Sequence, residues 1–329
     1  MPDIYLEDVY ITGFKSFSEK TGMSFKPGIG VIVGNNGVGK SNILDAVMWA
    51  LGDNDLERIR CYEQEELFFS GSQDYPPASD IRVELTLRQG EEKNAAAIYL
   101  VREQSRSGSD RYWISDAPYD HRAYRKKLQD LGLGDALKTI VRQEQINDVL
   151  LLNPFRRFEA IHSLLGMNSE NETAECLKDT IDQSLRRYMS YLIPQGRMRL
   201  DLISRDGRKG LDIEVTLPGN RVRRAHQLSG GEKSITSLAL KMALFHKLES
   251  PFFLLDEVEP SLDYINHKSM QSFLKDVAHN RQLIMITHLR STIALADTLH
   301  GVRTRWDGSS FMKFYFVMNE QLLRLYKCC

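Results

Sequence analysis

Apolar positions recur along this chain with two periods, and the places where the period changes mark its elements. Ile4, Leu6, Val9 and Ile11 predict an opening strand, and Met23-Ser24-Phe25 predicts a second, flanking Gly13-Phe14-Lys15-Ser16-Phe17. Lys26-Pro27-Gly28 then turns the chain into Ile29–Val33, apolar throughout and mostly β-branched, as a strand buried on both faces of a parallel sheet should be. Beyond it Ile43, Leu44, Val47, Met48 and Leu51 follow a helical period. Leu67-Phe68-Phe69 leads into a Gly/Ser/Pro-rich surface loop from Ser70 to Ser79. Ile81, Val83, Leu85 and Leu87 then alternate, and with Ile98–Val101 and Tyr112–Ile114 they predict an antiparallel sheet. A short helix carrying Tyr124, Leu128 and Leu131 on its apolar side bears Arg122, Arg125, Lys126 and Lys127; a solvated face and a DNA contact explain that cluster equally.

A helix is predicted over Phe155–Leu165, closed by Gly166, and helical spacing resumes at Leu177, Ile181, Leu185 and Tyr188. Met198/Leu200/Leu202 and Leu211/Ile213/Val215/Leu217, separated by Asp206-Gly207, predict a hairpin. The remainder alternates helix and apolar strand (235–248, 252–255, 264–278, 283–286), which argues for a parallel α/β sheet. The polar run between Met167 and Thr173 divides the chain into an N-terminal lobe, 1–167, a short junction, 168–173, and a C-terminal lobe, 174–329.

Between the strand at 29–33 and its helix lies Gly34-Asn35-Asn36-Gly37-Val38-Gly39-Lys40-Ser41, which satisfies G-x-x-x-x-G-K-[ST] in the strand-to-helix context that this motif requires. Glycines let consecutive amides turn toward a phosphate, and the helix N-terminus adds about half a positive charge. Lys40 is the candidate for the β- and γ-phosphates and Ser41 for Mg²⁺. Phe252-Phe253-Leu254-Leu255 ends in Asp256-Glu257, a Walker B pattern: Asp256 is placed to hold Mg²⁺, and Glu257 to orient or deprotonate a water attacking the γ-phosphate. Gln227-Leu228-Ser229-Gly230-Gly231-Glu232-Lys233 opens another helix. It reads equally as an anion site or as an ordinary cap in which Ser229 is matched by Glu232.

Composition narrows the class. With 329 residues, 42% hydrophobic and 26% charged, the chain can bury a large core. Its net charge of −1 supplies no global basic field, so any DNA contact must come from local patches such as Arg221, Arg223, Arg224 and His226. The absence of a long apolar run and a strand-like start predict a cytoplasmic protein with no membrane contact. Cys61, Cys176, Cys328 and Cys329 show neither metal spacing nor a disulfide framework, and Cys328-Cys329 does not fit a prenylation signal.

The order of motifs resembles the ATP-binding-cassette fold and, within it, the head of the structural maintenance of chromosomes (SMC) family. Phe14–Phe17, Gly37–Ile43, Asp45-Ala46, Trp49 and Leu51-Gly52 resemble the family's N-terminal half; Leu228–Lys233 and Leu254–Val258 resemble its C-terminal half. The resemblance implies an α/β P-loop NTPase of the ABC-ATPase, SMC-head type. Such a head has a mixed or parallel sheet, an antiparallel β-subdomain and a helical signature lobe. It further implies that Asn35, Asn36, Gly37, Val38, Gly39, Lys40, Ser41 and Asn42 cradle ATP, and that Gln143 touches Mg²⁺ and the attacking water. His288 becomes the switch histidine, Ser261 and Asp263 a loop across a dimer interface, and Arg60 an arginine loop linked to DNA-stimulated hydrolysis or a plain surface arginine. Ser229, with Gly230 and Gly231, would meet the nucleotide held by a partner chain.

On this likeness the chain is a Mg²⁺-dependent ATPase. It would form a homodimer around two ATP, act near the nucleoid in chromosome condensation and segregation through DNA, and bind a kleisin-type subunit. A RecF-like repair ATPase and a nucleotide-gated structural dimer with negligible turnover are the alternatives. Three departures stand out, the least consequential being Glu144 after Gln143 and Glu259-Pro260 before Ser261. A short polar stretch around Asn168 replaces the family's coiled coil and hinge, as in a head whose arms were removed or a relative without them. Cys61-Tyr62-Glu63 stands where a basic, glycine-rich segment is usual.

Overall fold

The computed structural model describes residues 4–90, 96–142, 148–165, 174–193, 195–217, 219, 221–248, 250–258, 267–279 and 281–317. In chain order the elements are β1 (Ile4–Thr12), β2 (Thr21–Ser24), β3 (Ile29–Val33), α1 (Lys40–Ala50), β4 (Asp80–Gln89), β5 (Ala97–Ser105), β6 (Asp110–Ile114), β7 (Ala117–Tyr119), α2 (His121–Asp130) and β8 (Ile140–Arg142). They continue with α3 (Asp148–Leu151), α4 (Pro154–Leu164), α5 (Ala174–Leu192), β9 (Arg197–Arg205), β10 (Arg208–Leu217), β11 (Arg221–Arg224) and α6 (Gly230–Phe245). The last are β12 (Phe252–Asp256), α7 (His267–Ala278), β13 (Gln282–Ile286), α8 (Arg290–Ile293), β14 (Thr298–Thr304) and β15 (Ser310–Val317). Two compact units emerge: 1–140 with 249–257 and 278–329, and 141–248 with 258–277. The expected junction at 168–173 and the expected cap Gly166 lie outside the described residues.

The first unit holds two sheets. One is antiparallel, in the order β2-β1-β4-β5-β6-β7. In the other, β15-β14-β3-β13-β12 are neighbours within this unit; β14, β3, β13 and β12 run parallel and β15 is antiparallel to β14. Every residue of β12 and β13 is buried, which explains why both read as unbroken apolar runs rather than alternating ones. Gln282 ties β13 to β1, its amide donating to Leu6 O at 2.8 Å and accepting from Leu6 N at 2.9 Å.

The helix α1 is buried along most of its length, with Trp49 and Phe14 among the largest fully enclosed side chains. Its C-terminal end is sealed by side chains. Arg102 Nη1 donates to Trp49 O (2.8 Å), Tyr124 Oη to Ala50 O (2.7 Å) and Arg125 Nη1 to Leu51 O (2.8 Å), while His121 Nε2 sits 3.0 Å from Gly52 O. Two guanidiniums there complement the negative end of the helix dipole. Arg125 of the basic α2 cluster is thus committed within the fold, whereas Arg122 and Lys126 remain exposed.

The second unit stacks helices on a three-stranded antiparallel sheet, β11-β10-β9. The β9–β10 hairpin closes on Asp206 and Gly207 at φ 52° and 74°, the two positive values that a tight two-residue hairpin turn needs. Buried Arg157 of α4 donates to Leu211 O at 2.6 Å and Leu150 O at 2.8 Å, binding β10 to α4 and α3. Tyr188 of α5 meets Phe273 of α7 edge to face, with ring centroids 5.4 Å apart.

The strands β7, β11, β14 and β15 are absent from the sequence reading. In β14 the alternation is interrupted by Thr298, His300 and Gly301, and in β11 three of four residues are arginine, so neither carries the apolar signature of a strand.

Candidate functional site

Three strands of the parallel sheet end at one edge, and each delivers a candidate residue there. The strand β3 runs into the glycine loop, β12 into Asp256-Glu257, and β13 into Thr287-His288. The carboxyl edge of such a sheet is where α/β proteins place ligands.

The loop is shaped by its glycines. Gly37 and Gly39 sit at φ 80° and 93°, turning successive amides to one side. At Gly39 a Cβ would lie 2.4 Å from Ser310 Oγ and 2.5 Å from Ser16 Oγ, so those two hydroxyls occupy the space that a side chain would need. Ser310 Oγ in turn lies 2.7 Å from Ser16 Oγ and donates to Val38 O at 2.8 Å. Gly39 caps α1 in a left-handed conformation, no side chain caps the helix, and its first turn holds no acidic residue. An anion there meets helix amides with no carboxylate from the helix's own first turn to compete with it.

Lys40 is 5% exposed and folds back over the loop. Its Nζ donates to Gly34 O at 2.8 Å and Asn35 O at 2.9 Å, lies 3.2 Å from His288 Nε2 and 4.0 Å from Glu257 Oε1. Burial pulls its pKa below the ordinary lysine value, and the carboxylates of Glu257 and Asp256 oppose that pull. Glu257 Oε1 lies 3.1 Å from His288 Nε2, which brings the lysine, the carboxylate and the imidazole into mutual reach. Glu257 occupies φ 49°, an unfavourable region for a glutamate, and its amide donates to Ile286 O at 3.0 Å. Asp256 is buried at the end of β12.

Asn42 donates to Ser16 Oγ at 2.8 Å, and its Oδ1 accepts from Arg60 Nη2 at 3.1 Å. Arg60 also grips Asp45 of α1, and beyond Arg60 and Asn42 opens a cleft of about 880 Å³ lined in part by Lys15, Phe68 and Arg106. Asn35, Asn36 and Gly37 are exposed, while Ser41 and Asn42 are half-buried.

In the second unit, Ser229 caps α6. Its Oγ accepts from Glu232 N at 3.4 Å, and Glu232 Oε2 accepts from Ser229 N at 2.7 Å, so the capping box expected from the spacing is present. Ser229 and Gly230 are exposed and Gly231 half-buried. Arg223 lies 3.7 Å from Glu232, and Arg224 pairs with Asp212. Gln143, Ser261 and Asp263 lie outside the described residues.

The residues present fit a nucleotide triphosphate with Mg²⁺. The loop turns through Gly37 and Gly39 at positive φ, with no room for a side chain at Gly39, and is backed by a helix N-terminus without a side-chain cap and by a buried ammonium. Among the described residues no group of three or more His, Cys, Asp or Glu side chains is placed to hold a metal alone. Ser41 and Asp256 offer hard oxygen donors of the kind Mg²⁺ takes together with substrate phosphates and water.

Sequence reasoning assigned no role to Asp45, Lys15 or Ser310. A carboxylate inside the apolar run Ile43-Leu44-Asp45-Ala46-Val47 was the available signal.

Residues 5–310 match the family model described as the RecF/RecN/SMC N terminal domain. The chain is 28% identical over 285 residues to the chromosome partition protein Smc of Clostridium kluyveri, covering 83% of this chain and 22% of the relative. It is 36% identical over 130 residues to Smc of Mycobacterium tuberculosis, covering 39% of this chain and 11% of that protein. The chain thus spans about a fifth or less of the length of these relatives. Among solved structures, an Smc head bound to the C-winged helix domain of ScpA superposes with a TM-score of 0.82 at 27% identity, over 95% of this chain and 98% of that one. The SMC head domain from Thermotoga maritima superposes with a TM-score of 0.69 at 31% identity, over 97% and 100%. The chain therefore belongs to the RecF/RecN/SMC N-terminal-domain family, with the mixed α/β fold of an SMC-type ATPase head related to the chromosome partition protein Smc.

Proposed function

We propose that this chain binds ATP with Mg²⁺ through residues 34–42, hydrolyses it, and acts as a homodimer enclosing two nucleotides in chromosome condensation and segregation through DNA. The observation that carries the reading is the meeting of Lys40, Glu257 and His288 over a glycine loop at one sheet edge.

Each residue has work suited to its position. The loop amides and the start of α1 bind the β- and γ-phosphates, while Lys40 exchanges the carbonyls of Gly34 and Asn35 for phosphate oxygens. Asn42 and Arg60 line the cleft and are proposed to border the nucleotide on that side. Mg²⁺, when bound at Ser41 and Asp256, would offset charge on the β- and γ-phosphates. Glu257 accepts a proton from the attacking water or orients it, and His288, held against Glu257, faces the same space. Gln143 and Asp263 are proposed at the water and at the dimer interface on resemblance alone. Ser229, Gly230 and Gly231 are proposed to close the partner's site.

A kleisin-type subunit belongs to the same reading. A relative's head was crystallised with the C-winged helix domain of ScpA. Here β15 ends with Tyr315, Phe316 and Val317 about 40–45% exposed, an edge strand offering backbone and apolar surface to a partner strand. DNA contact is proposed at Arg60 and at Arg221, Arg223, Arg224 and His226 before the signature turn, with the exposed Arg122 and Lys126 of α2 as a further basic patch. Among the described residues no helix is long and apolar enough to cross a membrane.

Glu257→Gln tests the catalytic part. An amide packs like the carboxylate but accepts no proton, so ATP binding should persist, phosphate release should fall at least a hundredfold, and a nucleotide-bound dimer should accumulate on sizing chromatography. Wild-type turnover together with an unchanged monomer peak would overturn the assignment.

A further inference from the structure

Asp45 lies in the second turn of α1 with its side chain fully enclosed, and two cations converge on it. Lys15 Nζ donates to Oδ2 at 2.8 Å; Arg60 reaches the same oxygen with Nη2 at 2.6 Å and Nε at 3.2 Å. Both cationic residues occupy the left-handed backbone region, Lys15 at φ 48° and Arg60 at φ 60°, which a residue with a side chain keeps only where its surroundings hold it.

The two cations are not equivalent. Lys15 is 10% exposed and also donates to Ile59 O, so it is an internal counter-charge. Arg60 is 40% exposed and lines the cleft beside the phosphate loop. Within this trio one carboxylate faces two cations, and the exposed cation is the guanidinium; Glu65, Glu66 and Asp307 line other parts of the same cleft. The guanidinium Nη2 also donates to Asn42 Oδ1, and Asn42 continues through Ser16 and Ser310 to the carbonyl of Val38 in the loop itself. Arg60 is thereby fixed relative to the first turn of α1 by a two-donor grip on Asp45 and a side contact to Asn42. Only a guanidinium makes that grip, since a lysine ammonium has no planar fork.

We propose that Asp45 is a positioning residue that acts through Arg60. It holds the guanidinium beside the first turn of α1, where the arginine's charge faces the phosphates of a bound nucleotide. This rests on the nucleotide reading above and adds to it a residue for which the motif alone supplies no role.

A double-mutant cycle on ATP binding tests the inference, with Mg²⁺-ATP as the probe in equilibrium titrations. Asp45→Asn and Arg60→Ala should each weaken ATP about tenfold, and the double variant should be no weaker than Arg60→Ala, because Asp45 has nothing left to position. A carboxylate that merely holds the fold together would lose the same factor in both backgrounds, for a combined loss of about a hundredfold, and that result overturns the inference. Should Asp45→Asn fail to fold, Arg60→Lys decides alone. It keeps the charge but not the fork, so it should bind ATP as weakly as Arg60→Ala; wild-type affinity would overturn the inference. Lys40→Ala separates the two levels. If the wild-type chain binds ATP, Lys40→Ala does not and the cycle is additive, the inference alone fails; if the wild-type chain binds no ATP, the nucleotide reading falls and takes the inference with it.

Discussion

Two helices of this chain begin on glycine-rich turns and treat their unpaired amides in opposite ways. The phosphate helix α1 starts at a left-handed Gly39 with no side-chain cap and no acid in its first turn. The signature helix α6 starts at Ser229, whose hydroxyl and amide are both engaged by Glu232. Both ends carry about half a positive charge from the helix dipole, but α6 already holds an internal carboxylate against its own. At α1 the amides are open and the carboxylates of Glu257 and Asp256 nearby are opposed by the buried ammonium of Lys40, whereas at α6 an anion must compete with Glu232 for the amides themselves. On the proposed reading, α1 would bind the nucleotide within its own chain and α6 would join only when another chain already holds the phosphates in place. That division of labour suits a site closed by dimerisation.

The largest expected effect that would break the comparison is at Gly39. A Cβ there meets two hydroxyls within 2.5 Å at a φ of 93°. Gly39→Ala should destabilise the chain by about 3 kcal/mol, from the left-handed backbone and the forced shift of Ser16 and Ser310, and weaken ATP at least tenfold. Thermal unfolding and ATP titration read the two effects. A Gly39→Ala protein that binds ATP like the wild type would remove the case for α1 as the phosphate site.

Next in size is an acid effect in the unit that contains α1. His300, fully buried between Phe25 and Tyr315, has its pKa pulled down by burial to about 4 from 6.5. The unfolded chain therefore takes up a proton that the folded chain resists. Stability is complete above pH 6.5 and falls by about 3 kcal/mol as pH drops toward 4. His300→Phe should flatten that fall in denaturant titrations at pH 7 and pH 5. An equally steep fall in the variant would place the acid sensitivity elsewhere. The two helices are best compared above pH 6.5, where this contribution is constant.

A smaller effect sharpens the contrast at α6. Ser229→Ala removes the cap and should cost about 1 kcal/mol in unfolding experiments while leaving ATP binding by the single chain unchanged. Gly230→Ala should be the mildest. Nothing lies within 4 Å of the Cβ it would add, so stability should stay within about 0.5 kcal/mol of wild type. A large loss of single-chain ATP binding from either substitution would mean that α6 acts within its own chain.

How much of this was legible depends on how local the cause is. The strand β3, the loop and α1 are set by residues adjacent in sequence, so period and glycine spacing suffice to read them. The capping box at Ser229 and Glu232 is equally local. By contrast, β14 reads poorly because Gly301 serves tertiary packing: a Cβ there would strike the ring of Phe314 at 2.2 Å. The strand β11 reads as a charge cluster because two of its arginines point to exposed or half-buried surface, and its pairing comes from β10. The left-handed turn at Glu257 and the convergence of Lys15 and Arg60 on Asp45, 30 and 15 residues away, arise only in the folded chain.

The most direct test of the shared-site account is a mixing experiment. Lys40→Ala removes the ammonium over the loop, and Ser229→Arg fills the position at which α6 would meet the partner's nucleotide, so each variant alone should be inactive. In a mixed dimer the intact loop of the Ser229→Arg chain faces the intact signature of the Lys40→Ala chain, leaving one whole site in two. With random pairing, half the dimers are mixed, and phosphate release should return to about a quarter of the wild-type rate. A mixture that stays inactive, although crosslinking shows that mixed dimers form, would contradict the division of one site between two chains.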